Sequence, residues 1–297
     1  MCLLAAIYAY NAGVVAEKTD IAPAGQEGTD EGGKTVSHDI VPDEAFEKIP
    51  PVKSRDASGQ ALKSSYLKGL LAIVLDDCGG NIELARQVKS LDLPITWAIL
   101  PNLRFSSDTA SLLLESEIPF LIHVPMQAIS DPDGKAGDPK LYYIGTGMSD
   151  EAVGEALIPI LDSLPGAYGV NNHRGSKATA DRKLMDSVMA VLSERGLFFM
   201  DSRTSGNSVA YQAAVEMGLS AAFNNRFLDN ESDRVKILSQ IENAISSAKK
   251  RRQIAICHLR PETVAALGKL SKDNIAKRGV RLVTLPELMK LEESIDE

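Results

Sequence analysis

Residues 71–80, LAIVLDDCGG, run five apolar residues straight into two adjacent carboxylates, a cysteine and two glycines. An unbroken apolar run, rather than an alternating one, marks a strand buried on both faces, as in a parallel sheet. Two like charges side by side at the end of such a strand repel each other, and burial pushes one of them to take up a proton. The same run-then-polar texture recurs along the rest of the chain.

The further runs are ITWAIL (95–100), PFLIHV (119–124), AYGVNN (167–172), LFFMD (197–201), SAAFNN (220–225), QIAICH (253–258) and RLVTL (281–285). Amphipathic stretches separate them. NIELARQVKSL opens on Asn81, SDTASLLLES and SDEAVGEALIPILDSL open on Ser-Asp, and DRKLMDSVMAVLSERG closes on Arg-Gly. These are helix start and stop signals. Strand alternating with helix predicts an α/β fold, either a closed barrel or an open doubly wound sheet. No G-x-G-x-x-G follows the first strand, so a dinucleotide site has no support. The longest connection, about residues 125–166, follows the third strand, where substrate loops and lids sit.

Ahead of this region the chain reads differently. Residues 1–16, MCLLAAIYAYNAGVVA, are apolar, long enough for a signal-peptide core and short for a membrane span. A signal or membrane anchor and a buried helix are both open readings, and the tether-like stretch that follows favours export. Residues 17–66 are rich in Glu, Asp, Gly, Pro and Ser and read as a flexible linker carrying His38. The expected folded domain is 67–297. A net charge of −8 argues against nucleic acid, and the lone basic run Lys249-Lys250-Arg251-Arg252 reads as a helix end. Three cysteines, Cys2, Cys78 and Cys257, match neither a disulfide framework nor a zinc motif.

The strand ends carry the chemistry. The first ends in Asp76-Asp77, the third carries His123, and the fourth ends in Asn171-Asn172-His173. The fifth ends in Asp201-Ser202-Arg203, and the run at 253–258 ends in His258, with Arg260 beyond. In a parallel α/β fold these ends share one face, where ligands bind. Histidines and carboxylates gathered there can hold a catalytic divalent metal with an open position. A cation would relieve the Asp76–Asp77 repulsion. The other reading of that pair is a cap on the helix that opens at Asn81.

Taken in order, the strand with Asp76-Asp77, IHVPM, GVNNHRGS, FFMDSRTS and CHLRPET resemble the divergent polysaccharide deacetylase family, a branch of the NodB-like metal-dependent carbohydrate esterases. The resemblance covers about residues 68–290. It implies a distorted (β/α) barrel with about seven parallel strands, and a divalent metal, usually zinc, held by one Asp and two His. It implies Asp76 as catalytic base, Asp77 as metal ligand, His123 as the first metal histidine and His258 as general acid, with Asp201 orienting His258. Where ordinary members carry H-[ST]-x-x-H, this chain has His123-Val-Pro-Met-Gln127, so the expected metal set is Asp77, His123 and His173. Asn171, Asn172, Arg203 and Arg260 are expected substrate contacts or, alternatively, loop-backbone partners. The thiols of Cys78 and Cys257, on strands that neighbour in such a barrel, are expected either in contact, open to a disulfide in an oxidising compartment, or as two unrelated small buried residues.

The activity implied is hydrolysis of acetyl groups from N- or O-acetylated polysaccharide in the bacterial cell envelope. The corresponding location is periplasmic or extracytoplasmic, by export or by an N-terminal membrane tether. A second reading is a non-catalytic envelope barrel that binds glycan or protein over a vestigial metal site. A third, phosphoester hydrolysis, lacks a second metal cluster or phosphate loop.

Overall fold

The computed structural model describes residues 68–138 and 142–296. The expected apolar segment 1–16, the linker 17–66 with His38, and Cys2 lie outside the described residues. Strands β1 (Leu70–Cys78), β2 (Ile95–Ile99), β3 (Phe120–Met126), β4 (Gly169–Arg174), β5 (Phe198–Asp201), β6 (Ala221–Phe223), β7 (Arg226–Phe227), β8 (Gln253–His258) and β9 (Arg281–Val283) form one sheet. Every pairing in it is parallel. Each apolar run of the sequence is a strand.

The strand order is β6-β5-β4-β3-β2-β1-β8-β7, with β9 beside the first residues of β1. β6 and β7 stand at opposite ends of that order, yet only Asn224 and Asn225 separate them in the chain. One extended stretch therefore pairs first with β5 and then with β8. Asn224 N–H donates to Asp201 O at 2.9 Å, and Asn225 N–H donates to Ile254 O at 2.9 Å. The sheet curls round until both its edges share this stretch. The result is the distorted (β/α) barrel that the resemblance implies, and the open doubly wound alternative is set aside.

Helices α1 (Ile82–Lys89), α2 (Ser106–Leu114), α3 (Asp150–Ser163), α4 (Arg182–Glu194), α5 (Ala210–Glu216), α6 (Arg234–Ala248), α7 (Pro261–Leu267), α8 (Lys272–Lys277) and α9 (Leu285–Asp296) complete the described fold. Their starts follow the capping logic. The Asn81 carboxamide accepts from Glu83 and Leu84 N–H, and Ser149, Asp181 and Asp233 cap α3, α4 and α6 in the same way. α2 begins at Ser106, before its Ser-Asp pair, and its cap position, Phe105, makes no side-chain cap bond. The basic run lies just past α6, and Arg252 pairs with Glu292. Gly79, at φ +109, brings the β1–α1 turn against the β2–α2 turn. A Cβ there would lie 2.9 Å from Ser106 Oγ and 3.2 Å from Leu100 O.

Two apolar clusters divide the strand residues by parity. Leu71, Ile73 and Leu75 belong to a large cluster that also takes in residues of the surrounding helices. Leu70, Ala72 and Val74 join Ala98, Leu121, Met200, Ile254 and Ile256 in a second cluster, which lines the barrel interior. Leu285, Leu288 and Met289 of α9 belong to the interior cluster as well. Followed toward the strand C-termini, the interior series turns polar. Val74 leads to Asp76, Leu121 to His123, and Ile256 to His258, each two residues on along its strand.

Candidate metal centre

Residues two apart on a strand share a face, so Asp76 and Asp77 should point to opposite sides. They do not, because β1 is irregular there. Between Leu75 and Cys78 it spends three steps where β2 spends two, Trp97 to Ile99. Asp77 takes a left-handed backbone, φ 61. A bulge of this kind re-aims a side chain at the cost of local strain, a trade found at functional sites. Both carboxylates now face one ring: His123 Nε2 lies 3.5 Å from Asp76 Oδ2 and 3.4 Å from Asp77 Oδ1. The helix-cap reading of the pair is thereby replaced, since Asn81 alone caps α1.

His123 on β3 lies in register with Asn171 on β4, and His173 follows on the same face of β4. His173 Nδ1 is 3.0 Å from Asp77 Oδ1 and 3.2 Å from His123 Nε2. Asp77, His123 and His173 thus each aim one donor atom at a common point, all within 4.8 Å of one another. Zinc holds such donors at about 2.0–2.2 Å, which spaces tetrahedral neighbours about 3.3 Å apart. The three measured separations bracket that spacing. Asp77 Oδ1 is buried and accepts no well-directed hydrogen bond from the described residues. A buried carboxylate oxygen facing two histidine nitrogens in that state is suited to a cation. The donor set and its geometry fit a divalent metal.

The electrostatics agree. Burial raises Asp76 above the ordinary carboxylate range, more than the His123 and His258 charges lower it. Burial acts the same way on Asp77, but the close His123 and His173 rings outweigh it and hold Asp77 well below the ordinary value. Burial lowers His173. His123 is raised, because Asp76 and Asp77 outweigh its burial. The carboxylate pair favours positive charge at this point.

Gln127, at the position of the expected second histidine, turns away. Its Oε1 accepts from Thr146 N–H and Oγ1–H at 2.9 Å each, and its Nε2 donates to Asp133 Oδ1 at 2.8 Å. It pins the ends of the β3–α3 connection to each other.

His258 stands in register with Asp76 across β1 and β8. Its orienting carboxylate is Asp229, not Asp201. Asp229 Oδ1 is 2.8 Å from His258 Nδ1, and its Oδ2 accepts from His258 N–H and Thr263 Oγ1–H at 2.7 Å each. Burial lowers His258, but Asp229 more than offsets this, with Asp77 and Asp76 adding to it, and the ring is pushed up to about 9. Asp201 is occupied within its own loop, accepting from Arg203 N–H at 2.8 Å and Ser208 Oγ–H at 2.7 Å. Chain geometry explains the exchange, because the β6–β7 stretch delivers Asp229 alongside β8 while Asp201 ends a strand nearer β4.

The expected substrate contacts all have partners within the protein. Asn171 and Asn172 are fully buried. Asn172 accepts from Ser202 N–H at 2.9 Å and donates to Arg174 O at 2.7 Å, so it splices two strand ends. The Arg203 guanidinium carbon lies 3.7 Å above the Phe223 ring, and Arg260 Nη1 donates to Asp229 O at 3.3 Å. Cys78 and Cys257 are both buried free thiols, so the structure holds no disulfide between them.

Residues 73–289 match the family described as divergent polysaccharide deacetylase. The chain belongs to that family. An uncharacterised protein of Haemophilus influenzae Rd is 36% identical over 204 residues, 68% of this chain and 71% of that protein. The uncharacterised protein YibQ of Escherichia coli K12 is 33% identical over 208 residues, 70% of this chain, and the match spans 64% of its length. An uncharacterised Agrobacterium tumefaciens C58 protein has the same fold, with TM-score 0.68 and 20% identity over 74% of this chain and 89% of that chain.

Proposed function

We propose that this protein is a metal-dependent hydrolase that removes acetyl groups from an N- or O-acetylated polysaccharide of the bacterial cell envelope, working outside the cytoplasm behind an N-terminal tether. The observation that carries this reading is the convergence of Asp77, His123 and His173 on one point, with Asp76 and His258 on adjacent strands beside it. Family membership supports the substrate class.

Asp77, His123 and His173 would hold the ion, zinc by preference. Once bound it would supply Lewis acidity toward the acyl carbonyl and the attacking water. Asp76 is the base. Its Oδ1 is held by the Asn171 amide at 2.9 Å, which leaves Oδ2, on the His123 side, to receive the proton. Burial raises its proton affinity toward the range a base needs near neutral pH. His258 is the acid. Pushed up to about 9, it is protonated at neutral pH. Asp229 holds its Nδ1, so the leaving amine or hydroxyl meets the other ring nitrogen. Asp77 and His173 remain about one-quarter and one-fifth exposed, the open side from which substrate enters.

The test is elemental analysis of the purified chain, paired with acetate release from acetylated glycans, for wild type, His123→Ala and His173→Ala. About one zinc-like ion per chain, lost in both variants together with acetate release, is the expected result. Stoichiometric metal without acetate release from any acetylated glycan would move the reading to a binding barrel.

A further inference from the structure

Asn171 sits on β4 with no exposed surface and an amide that is fully committed. Its Nδ2 donates to Asp76 Oδ1 at 2.9 Å and to Ser202 Oγ at 3.3 Å. Its Oδ1 lies 2.8 Å from His123 Nδ1. An amide has two protons and one acceptor oxygen. Both protons, on Nδ2, are directed at Asp76 and Ser202, and Oδ1, which carries none, can only accept, so His123 Nδ1 must carry the hydrogen. The lone pair of His123 is thereby placed on Nε2, the atom facing Asp77 and His173. The same amide fixes which oxygen of Asp76 is engaged and which faces the cluster.

We infer that Asn171 is the positioning residue of this centre, one amide that sets the His123 tautomer for metal binding and orients Asp76 as base. The inference deepens the hydrolase reading and rests on it for the role of Asp76, but the tautomer lock stands on geometry alone. Neighbouring groups that hold a ligating histidine typically change metal affinity 10–100-fold when lost. Asn171 differs from a simple partner because its two ends serve two different tasks, and variants can separate them. Asn171→Asp keeps an acceptor for His123 Nδ1–H but sets a second carboxylate against Asp76, so the two share a proton. Asn171→Leu removes both ends at similar volume.

The experiment combines zinc titration of the chelated full chain against a chromophoric competitor, acetate-release kinetics, and nitrogen-15 spectra of the histidine rings in zinc-free protein at alkaline pH. In wild type and Asn171→Asp, His123 is expected as the Nδ1–H tautomer; in Asn171→Leu, as a mixture. Zinc affinity should fall about 10–100-fold in Asn171→Leu and stay within about tenfold in Asn171→Asp, whereas turnover falls in both, by about 100-fold or more in Asn171→Asp. An Nε2–H tautomer in wild type would overturn the lock, whatever the zinc result. Parallel losses of zinc affinity in the two variants would reduce Asn171 to a packing residue. Absence of zinc binding by all three proteins, with the tautomers as expected, would sink the hydrolase reading and leave the lock standing.

Discussion

Replacing Asp229 by Asn should make the stability of this protein respond differently to pH. The His258 ring is pushed up from an ordinary 6.5 to about 9, against the pull of its burial, by Asp229 first and by Asp77 and Asp76 behind it. Each tenfold gain in proton affinity is worth about 1.4 kcal/mol, so the imidazolium is favoured in the folded chain by about 3 kcal/mol. A raised folded value means that this contribution is fully present below about pH 6.5 and disappears as pH rises through about 9. Burial also favours protonation of Asp229, but His258 outweighs it and holds the carboxylate below its ordinary value, so that part of the pair's contribution persists down into the acid range. In Asp229→Asn the amide gives up the charge and sets an N–H₂ against donors at His258 N–H or Thr263 Oγ–H. The hydrogen-bond mismatch costs about 1–3 kcal/mol at every pH. Most of the about 3 kcal/mol ionic part exists only while His258 is charged. Urea unfolding of metal-chelated protein between pH 6 and 10.5, followed by the fluorescence of Trp97, the only tryptophan and 2% exposed, measures both. The gap between wild type and variant should be widest near pH 6–7 and narrow by roughly 2–3 kcal/mol toward pH 10.5. A gap that is flat across that range would refute the assignment of Asp229 as the partner that charges His258.

Asp77→Ala should abolish zinc binding in a competition titration, whereas Asp76→Asn should keep the metal and lower acetate release by about 10²–10⁴-fold. Gln127→His should gain no zinc affinity, because the side chain at this position is turned into the β3–α3 connection. It should lower stability by about 1–3 kcal/mol in denaturant titration through the donors and acceptors it leaves unpaired. Cys78 and Cys257 are buried, and burial chiefly, with Asp76 and Asp229 nearby, raises both thiols well above the ordinary value. Alkylation followed by peptide mass analysis should find both unmodified in the native chain and both modified once it is unfolded, without a reductant.

The parallel α/β sheet was legible in the sequence, because each unbroken apolar run became a strand, but the runs fitted a barrel and an open doubly wound sheet equally, and only the family resemblance pointed to the barrel. The gathering of histidines and carboxylates on one face was legible because strand ends of a parallel sheet share that face, and the resemblance singled out Asp77, His123 and His173 among them. Asp229 was missed, although its signal was present. The run read as SAAFNN continues through Arg226, Phe227 and Leu228 to a carboxylate, as other strands end in polar groups. Two asparagines in the middle concealed its continuity, and those are the residues at which the stretch changes partners. The bulge at Asp76-Asp77 left no mark in composition. It is a conflict between neighbouring strands that no single segment can display. Asn171 and Asn172 misled by type, because polar residues at a strand end suggest contact with ligand, and only the fold shows that their amides are used up inside.

β1 is the first strand of the described barrel to be synthesised, yet it stands between β2 and β8, and β8 follows it only after six other strands. Until that late segment leaves the ribosome, β1 carries an open, hydrophobic edge of the kind that invites pairing with the wrong chain. The proposed base and the proposed acid sit on these same two strands. Closing the barrel and bringing Asp76 opposite His258 are one event, so an unfinished or C-terminally truncated chain offers a sticky edge without that pair.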